Sequence, residues 1–368
     1  MTSVLSSSGA ILAGFALLFV LVTAVATALL IGLLHPLLVR YALARPNARS
    51  AHSVPTPQGG GIAVLGAAVL AALLGACALA DEGLTALDIG SGTAFMLDDA
   101  AWWRLCLVLS AALLVAAVGF IDDLWPLPPL PRLALQLIAM SVAVSALPYG
   151  ARVLPVLPLA AERLLLVVGG AWFINLTNFM DGMDWLTVAE TVPTAAALSC
   201  FWFFGFLSAP AGLAATALLG GMLGFAPFNR PVARLFLGDV GSLPVGLLVA
   251  FCLFDLASHG GLVAAVLMPL YSIADSGITL VWRLRRGERV WEAHRHHFYQ
   301  VAVGRGFTIR DVLERVLAAN LVLVVFAAAS LFQDRWELAL IDLALGAVIV
   351  ARLLRDLARG RPAAERPR

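Results

Sequence analysis

The sequence predicts an all-α polytopic membrane protein of about ten or eleven transmembrane helices, with its polar chemistry gathered at one face. Composition gives the first reason: 61% of the 368 residues are hydrophobic and 13% charged, and the mean hydropathy is +0.94. Apolar runs of roughly 20 residues, the length that crosses a bilayer, recur along the chain. The third reason is where the acids sit. Asp122, Asp123, Asp181, Asp184 and Asp239 lie at or beside the ends of such runs, where a charge close to hydrocarbon is expensive and marks function.

The first run, near 10–34, is longer than a secretory signal and has no basic segment before it, so it reads as a retained span. Further spans are expected near 59–80, 103–121, 132–148, 163–179, 189–207, 211–226, 243–258, 260–282, 312–332 and 336–354. The short runs 211–226 and 243–258 give the weakest signal, and their Gly, Ala and Ser residues allow helices to approach closely. An odd number of crossings puts the termini on opposite sides, and arginine decides which side is which. Loops after odd-numbered spans and the tail hold Arg40, Arg45, Arg49, Arg132, Arg230, Arg234, the group from Arg283 to Arg310, and Arg352 to Arg368, while the opposite loops carry Asp81, Glu82, Asp88, Asp98 and Asp99. The N-terminus is therefore expected outside, the C-terminus in the cytoplasm, and the carboxylates at the cytoplasmic face. Residues 1–355 read as one integral membrane domain and 356–368 as a basic tail.

The chain has no lysine, so all its 24 basic side chains are arginine, which suits planar phosphate contacts as well as a biased codon composition. Cys77, Cys106, Cys200 and Cys252 match no metal or redox spacing and read as packing residues.

The loops at the arginine-rich face carry the information. Segment 45–61, RPNARSAHSVPTPQGGG, combines turn-forming prolines with a glycine run at a helix mouth; Arg45 and Arg49 are placed to meet a lipid or nucleotide phosphate, although a breaker-rich connecting loop gives the same pattern. In GFIDDLWPLPPLPRLALQ at 119–136, adjacent helical acids point about 100° apart, so Asp122 and Asp123 are expected to do different jobs. In NLTNFMDGMDWL at 175–186, Asn175, Asn178, Asp181 and Asp184 recur every three residues and form one polar stripe if the helix continues. In PFNRPVARLFLGDVGS at 227–242, Asp239 between Gly238 and Gly241 suits either a metal-diphosphate or a helix N-cap. The last segment, 271–300, contains Asp275, several arginines and AHRHHFYQ, whose His294, Arg295, His297, Tyr299 and Gln300 offer contacts to phosphate and sugar oxygens. Three histidines in four residues also allow a zinc site, but no fourth ligand stands nearby.

PTPQGGG at 55–61, the Asp122-Asp123 pair, NLTNFMDGMD at 175–184, Asn229 with GDVGS at 238–242, and AHRHHFYQ at 293–300, in this order, resemble the polyprenyl-phosphate N-acetylhexosamine-1-phosphate transferases (glycosyltransferase family 4), with the final motif most similar to the O-antigen-initiating branch. The resemblance implies transfer of a sugar 1-phosphate from a UDP-sugar to undecaprenyl phosphate with release of UMP, in a bacterial inner membrane. It implies Asp122, Asp123, Asp239, His294 and His297 as catalytic residues. Arg45, Arg49, Asn178, Asp181, Asp184, Asn229 and Arg295 would bind the nucleotide substrate. Magnesium, with manganese as the alternative ion, is implied at Asp239, Asn178 and Asp181. The implied partners are a UDP-linked amino sugar, undecaprenyl phosphate and membrane lipid; a homodimer is compatible with this organisation, and no nucleic-acid polymer is implied. One departure is Trp185, where the family pattern DGxDG has glycine. The closest alternative activity is phospho-N-acetylmuramoyl-pentapeptide transfer. A transporter or flippase fits less well, because it would place its polar residues near the midplane and show related halves.

Overall fold

In the computed structural model, which describes residues 7–44, 55–80, 97–289, 294–333 and 335–361, the chain is a bundle of long helices. In order these are α1 (Ser7–Tyr41), α2 (Gly60–Ala80), α3 (Asp99–Leu124), α4 (Pro129–Ser145), α5 (Leu159–Met180), α6 (Leu186–Phe203), α7 (Ala209–Asn229), α8 (Asp239–Leu256), α9 (Leu262–Leu267), α10 (Leu270–Arg285), α11 (Phe298–Gly304), α12 (Ile309–Leu331) and α13 (Trp336–Arg359). Two-residue strands β1 (Leu43–Ala44) and β2 (Thr56–Pro57) pair antiparallel. Arg45 and Arg49 lie outside the described residues.

Among the described residues, eight helical segments are long and apolar enough to cross a membrane. The three other expected crossings are helical too, but α4 and α10 have only 17 and 16 residues, and α13 carries Glu337, Asp342, Arg352, Arg355 and Asp356 along its length. Between α8 and α9 the backbone leaves helical values at His259 (φ −93°, ψ 18°) and Gly260 (φ 91°), at the boundary expected between 258 and 260. A second break falls at Pro269, which the apolar run 260–282 concealed. α13 continues to Arg359, so the first residues of the expected tail belong to the last helix.

The two weakest sequence signals are the centre of the molecule. Helix α7 packs against α1, α2 and α6, and α8 against α3 and α5; α8 is the most enclosed of the eight spans. Their small residues have a packing cause: helices surrounded by other helices need small faces more than bulky apolar ones. A side chain at Gly224 would strike the α1 backbone at Ala24, and one at Gly61 would strike the backbone of Gly241.

Helix ends are closed by acids supplied locally or from across the bundle. Asp98 caps α3 by accepting from Ala101 N (2.7 Å), and Thr308 with Asp311 forms a reciprocal capping box on α12. Far from the 119–136 segment along α8, buried Asp255 accepts from the backbone N and hydroxyl of Ser208, both at 2.8 Å, at the start of α7. Glu162, fully buried, holds Arg152 and the backbone N of Val153 at 2.6 Å.

Candidate active site

The ends of α3, α5 and α8, the start of α2 and the loop before α8 meet at one end of the bundle. Close approach begins with glycine. Gly119 of α3 faces the backbone of Asp239, and Gly61 of α2 faces that of Gly241. The loop before α8 then zips onto the 55–61 segment: Phe236 N donates to Pro57 O, Gly60 N to Phe236 O and Gly61 N to Leu237 O, each at 2.9 Å.

One turn beyond Gly119, the Asp123 carboxylate lies on the N-terminus of α8. Its Oδ1 accepts from Asp239 N (3.0 Å) and its Oδ2 from Val240 N (3.1 Å), so it occupies the positive end of that helix. Gly238 (φ 76°) delivers the chain into this turn, and a Cβ there would crowd Asp123 Oδ2. Asp122 points elsewhere: its Oδ1 accepts from Leu127 N and its Oδ2 from Arg132 Nη1, both at 2.6 Å. The same Arg132 nitrogen lies 3.8 Å from Asp239 Oδ2. The divergence expected of two adjacent helical acids is thus present, one on a backbone and one on a guanidinium.

The stripe expected over 175–184 is interrupted, because α5 ends at Met180 with Asp181 as its C-cap. Asn178 Nδ2 donates to Asp239 Oδ1 (2.7 Å) and Ser242 Oγ (2.9 Å), whereas Asn175, one turn earlier, donates to Gln136 Oε1 (2.6 Å) on α4. Asp181 Oδ1 accepts from Thr187 (2.5 Å). Burial pushes the Asp181 carboxyl up to about 8; the Thr187 bond opposes this, and the neighbouring charges of Asp239, Asp123 and Asp184 add to it. The cluster is short of positive charge.

Asp184 and Asn229 are placed differently from the nucleotide contacts that the resemblance implies. Buried Asp184 accepts from Ala233 N (2.9 Å). Asn229, also buried, accepts from Trp185 N (2.8 Å) and donates to Leu235 O (2.9 Å). Both ends of the Asn229 amide are therefore engaged with backbone, and the two residues tie the turn after α5 to the loop before α8.

Trp185, a departure from the family pattern, stands at φ 65°, the left-handed region that glycine adopts freely. Its indole Nε1 donates to Ala226 O (2.9 Å). Trp185→Ala loses that contact and keeps the backbone cost, whereas Trp185→Gly loses the contact and is relieved of the cost. The glycine variant is expected to be more stable than the alanine variant by about 1 kcal/mol in thermal unfolding; the reverse order would contradict this account.

The histidine motif docks against the same turn. Buried Asp275 Oδ1 receives His297 Nδ1 (3.0 Å) and Phe298 N (3.1 Å), and its Oδ2 receives Tyr299 N and the Tyr271 hydroxyl, both at 3.3 Å. The carboxylate fixes Nδ1 of His297 as the donor and so sets the orientation of the ring. The Tyr299 hydroxyl donates to Phe179 O (3.0 Å) and its side chain is 1% exposed, so it is a clamp on the end of α5 and not the sugar contact expected of it. Burial first, and then the charges of His297, Arg283 and His296, push His294 down to about 3, which makes it a neutral imidazole. Arg295 lies in the irregular stretch just before α11.

The sequence reading had not singled out Arg132, Gln58 or the role of Asp275. Gln58 donates to the Asp123 carbonyl (3.1 Å). Arg132 stood in a proline-rich stretch as a positive-inside charge, and its ten-residue separation from Asp122 gave no periodic signal.

Beside the acids runs a groove of about 740 Å³, lined by Leu130, Leu133, Leu137, Val168, Trp172 and Phe179 among others, with Arg132 and Asn175 in its wall. The groove meets the acid cluster through Arg132, which lines it and bonds Asp122.

Residues 105–257 match the family described as glycosyl transferase family 4. The chain is 30% identical to the decaprenyl-phosphate N-acetylglucosaminephosphotransferase of Mycobacterium leprae (strain TN) over 323 residues, 78% of this chain and 76% of that one. The chain belongs to glycosyl transferase family 4, the polyprenyl-phosphate N-acetylhexosamine-1-phosphate transferases. The enzyme of the same description from Mycobacterium tuberculosis (strain ATCC 25618 / H37Rv) is 29% identical over 343 residues, 84% of this chain and 80% of that one. Similarity extends to the phospho-N-acetylmuramoyl-pentapeptide-transferase of Streptococcus pneumoniae (strain 70585), 26% identical over 212 residues, 52% of this chain and 64% of that one. Within the family 4 match lie Asp122, Asp123, the 175–184 motif and Asp239; the 55–61 segment and the histidine motif lie outside it.

Proposed function

We propose that this family 4 member transfers an N-acetylhexosamine 1-phosphate, or its 6-deoxy counterpart, from a UDP-sugar to undecaprenyl phosphate, releasing UMP and initiating O-antigen or another surface glycan. The observation that carries the reading is the junction of the acid cluster with the apolar groove, because the reaction joins a water-soluble diphosphate to a phosphate on a hydrocarbon tail. The arginine distribution supports a site at the cytoplasmic face of a bacterial inner membrane, with the N-terminus outside and the C-terminus in the cytoplasm.

Hard oxygen donors fit magnesium. Asp239 Oδ2 lies 3.8 Å from Arg132, and both amide hydrogen bonds of Asn178 run through Nδ2, leaving its oxygen available. Among the described residues no three His, Cys, Asp or Glu side chains converge as a closed metal cage; magnesium is commonly held by one or two carboxylates, water and substrate phosphates. Asp239, Asn178 and Asp181 would hold the ion, which when bound neutralises diphosphate charge. Asp123 holds the backbone N of Asp239 and Asn178 holds its carboxylate, and neutral His294 offers a polar atom without adding charge. An oxygen of the lipid phosphate bonds to the sugar-bearing phosphorus while the bond to UMP breaks, its electron pair leaving with UMP. That nucleophile is already largely ionised at neutral pH, so orientation matters more than proton removal.

Compact contacts favour a small donor over one carrying a pentapeptide. Purified protein supplied with magnesium, undecaprenyl or decaprenyl phosphate and a panel of UDP-sugars should release UMP with a UDP-N-acetylhexosamine or its 6-deoxy form. Selective use of the UDP-N-acetylmuramoyl-pentapeptide would overturn the donor assignment, and no transfer from any donor would overturn the reaction.

A further inference from the structure

We infer that Arg132 is the residue that receives the phosphate of the lipid acceptor, and that Asp122 is its positioning partner. The inference deepens the proposed reaction and rests on it. Arg132 is placed where the two halves of the site meet: its Nη1 contacts Asp122 (2.6 Å) and approaches Asp239 (3.8 Å), while its side chain forms part of the apolar groove wall. Among the described residues it is the one cation in that wall; the other lining groups are apolar apart from Asn175.

A lipid whose tail fills the groove carries its phosphate to one end of it, and a phosphate held against hydrocarbon and several carboxylates needs a cation there. The guanidinium has the donors to spare. Its contacts with acids all run through Nη1, and among the described residues Nη2 and Nε have no acceptor, so a planar pair of N–H groups remains for two phosphate oxygens. Asp122 is itself anchored by Leu127 N (2.6 Å), which holds the bridge at the bend between α3 and α4. Asn175 stands in the same wall, fixed by Gln136.

The guanidinium must also lie near Asp239 for the lipid phosphate to reach the donor's phosphorus, and the 3.8 Å approach meets that need. A salt bridge serving only to close the α3–α4 bend would put no demand on either neighbour.

The test compares KM for the two substrates in the purified protein. Arg132→Gln should raise KM for the polyprenyl phosphate about tenfold or more and leave KM for the UDP-sugar within about twofold, with Arg132→Lys intermediate. Asp122→Asn combined with Arg132→Gln removes both charges together; if Arg132 serves only to neutralise Asp122, this double variant regains the wild-type KM for the lipid, and the inference fails. A rise in the UDP-sugar KM alone would move Arg132 to the donor and also defeat it. Thermal shift gives an independent reading: farnesyl phosphate should stabilise the wild type more than farnesol or inorganic phosphate does, and Arg132→Gln should lose that increment while keeping its response to farnesol. Equal responses in wild type and variant would overturn the inference even where turnover confirms the reaction, whereas a wild type without transfer would remove the proposed function first.

Discussion

Asp239→Asn is expected to abolish UMP release, by about a hundredfold to a thousandfold, while leaving the protein folded. The side chain accepts from Asn178 (2.7 Å), lies 3.8 Å from Arg132 and neighbours the Asp122 carboxyl, so an amide of the same shape keeps the bond from Asn178 and loses the negative charge. Asp123→Asn is expected to behave differently. Both of its oxygens accept backbone N–H groups of α8, and an amide there turns an N–H toward an N–H at a partly buried helix end. The cost is about 1–3 kcal/mol of stability, together with lost turnover as Asp239 shifts. UMP release and thermal unfolding in detergent, measured on both variants, separate the roles. Near-normal turnover of Asp239→Asn at saturating magnesium would remove Asp239 from the centre, and an unchanged unfolding temperature for Asp123→Asn would remove Asp123 as the clamp on α8.

How much of this was legible depends on which physical signal each residue leaves in a sequence. Hydropathy marked the spans, but the apolar runs of α7 and α8 read as short, and nothing in them showed that these two helices are the most enclosed; a helix surrounded by others is selected for small faces. Local spacing showed that Asp122 and Asp123 must diverge, but not that the second would meet a helix end 116 residues away. The three-residue stripe from Asn175 to Asp184 was an extrapolation of helical geometry past Met180, and it failed where Asp181 capped the helix. Asp184, Asn229 and Tyr299 looked like ligand contacts because polar groups in such motifs usually are; they hold loops to one another instead. Arg132 was invisible for the opposite reason, since one arginine after a run of prolines has no pattern until α4 folds back beside Asp122.

Gly119→Ala should damage the site without touching any charged group. The added methyl would overlap the carbonyl carbon and oxygen of Asp239 and the nitrogen of Val240, which are backbone atoms and cannot rotate aside. Helices α3 and α8 must then separate, and the Asp123 bonds to Asp239 N and Val240 N, at 3.0 and 3.1 Å, lengthen beyond useful range because Asp123 lies one turn further along the same face. Overpacking of this kind costs about 1–3 kcal/mol, and the displaced α8 terminus carries Asp239 with it, so turnover should fall about a hundredfold for a shift near 1 Å. Gly66→Ala on α2 supplies the matched control: a Cβ there meets nothing within 4 Å, and the same chemical change should leave turnover intact and add about 0.5–1 kcal/mol through helix propensity. Unfolding temperature and UMP release for the two alanine variants decide the matter. Equal behaviour of Gly119→Ala and Gly66→Ala would show that the close crossing of α3 and α8 does not set the position of the carboxylates.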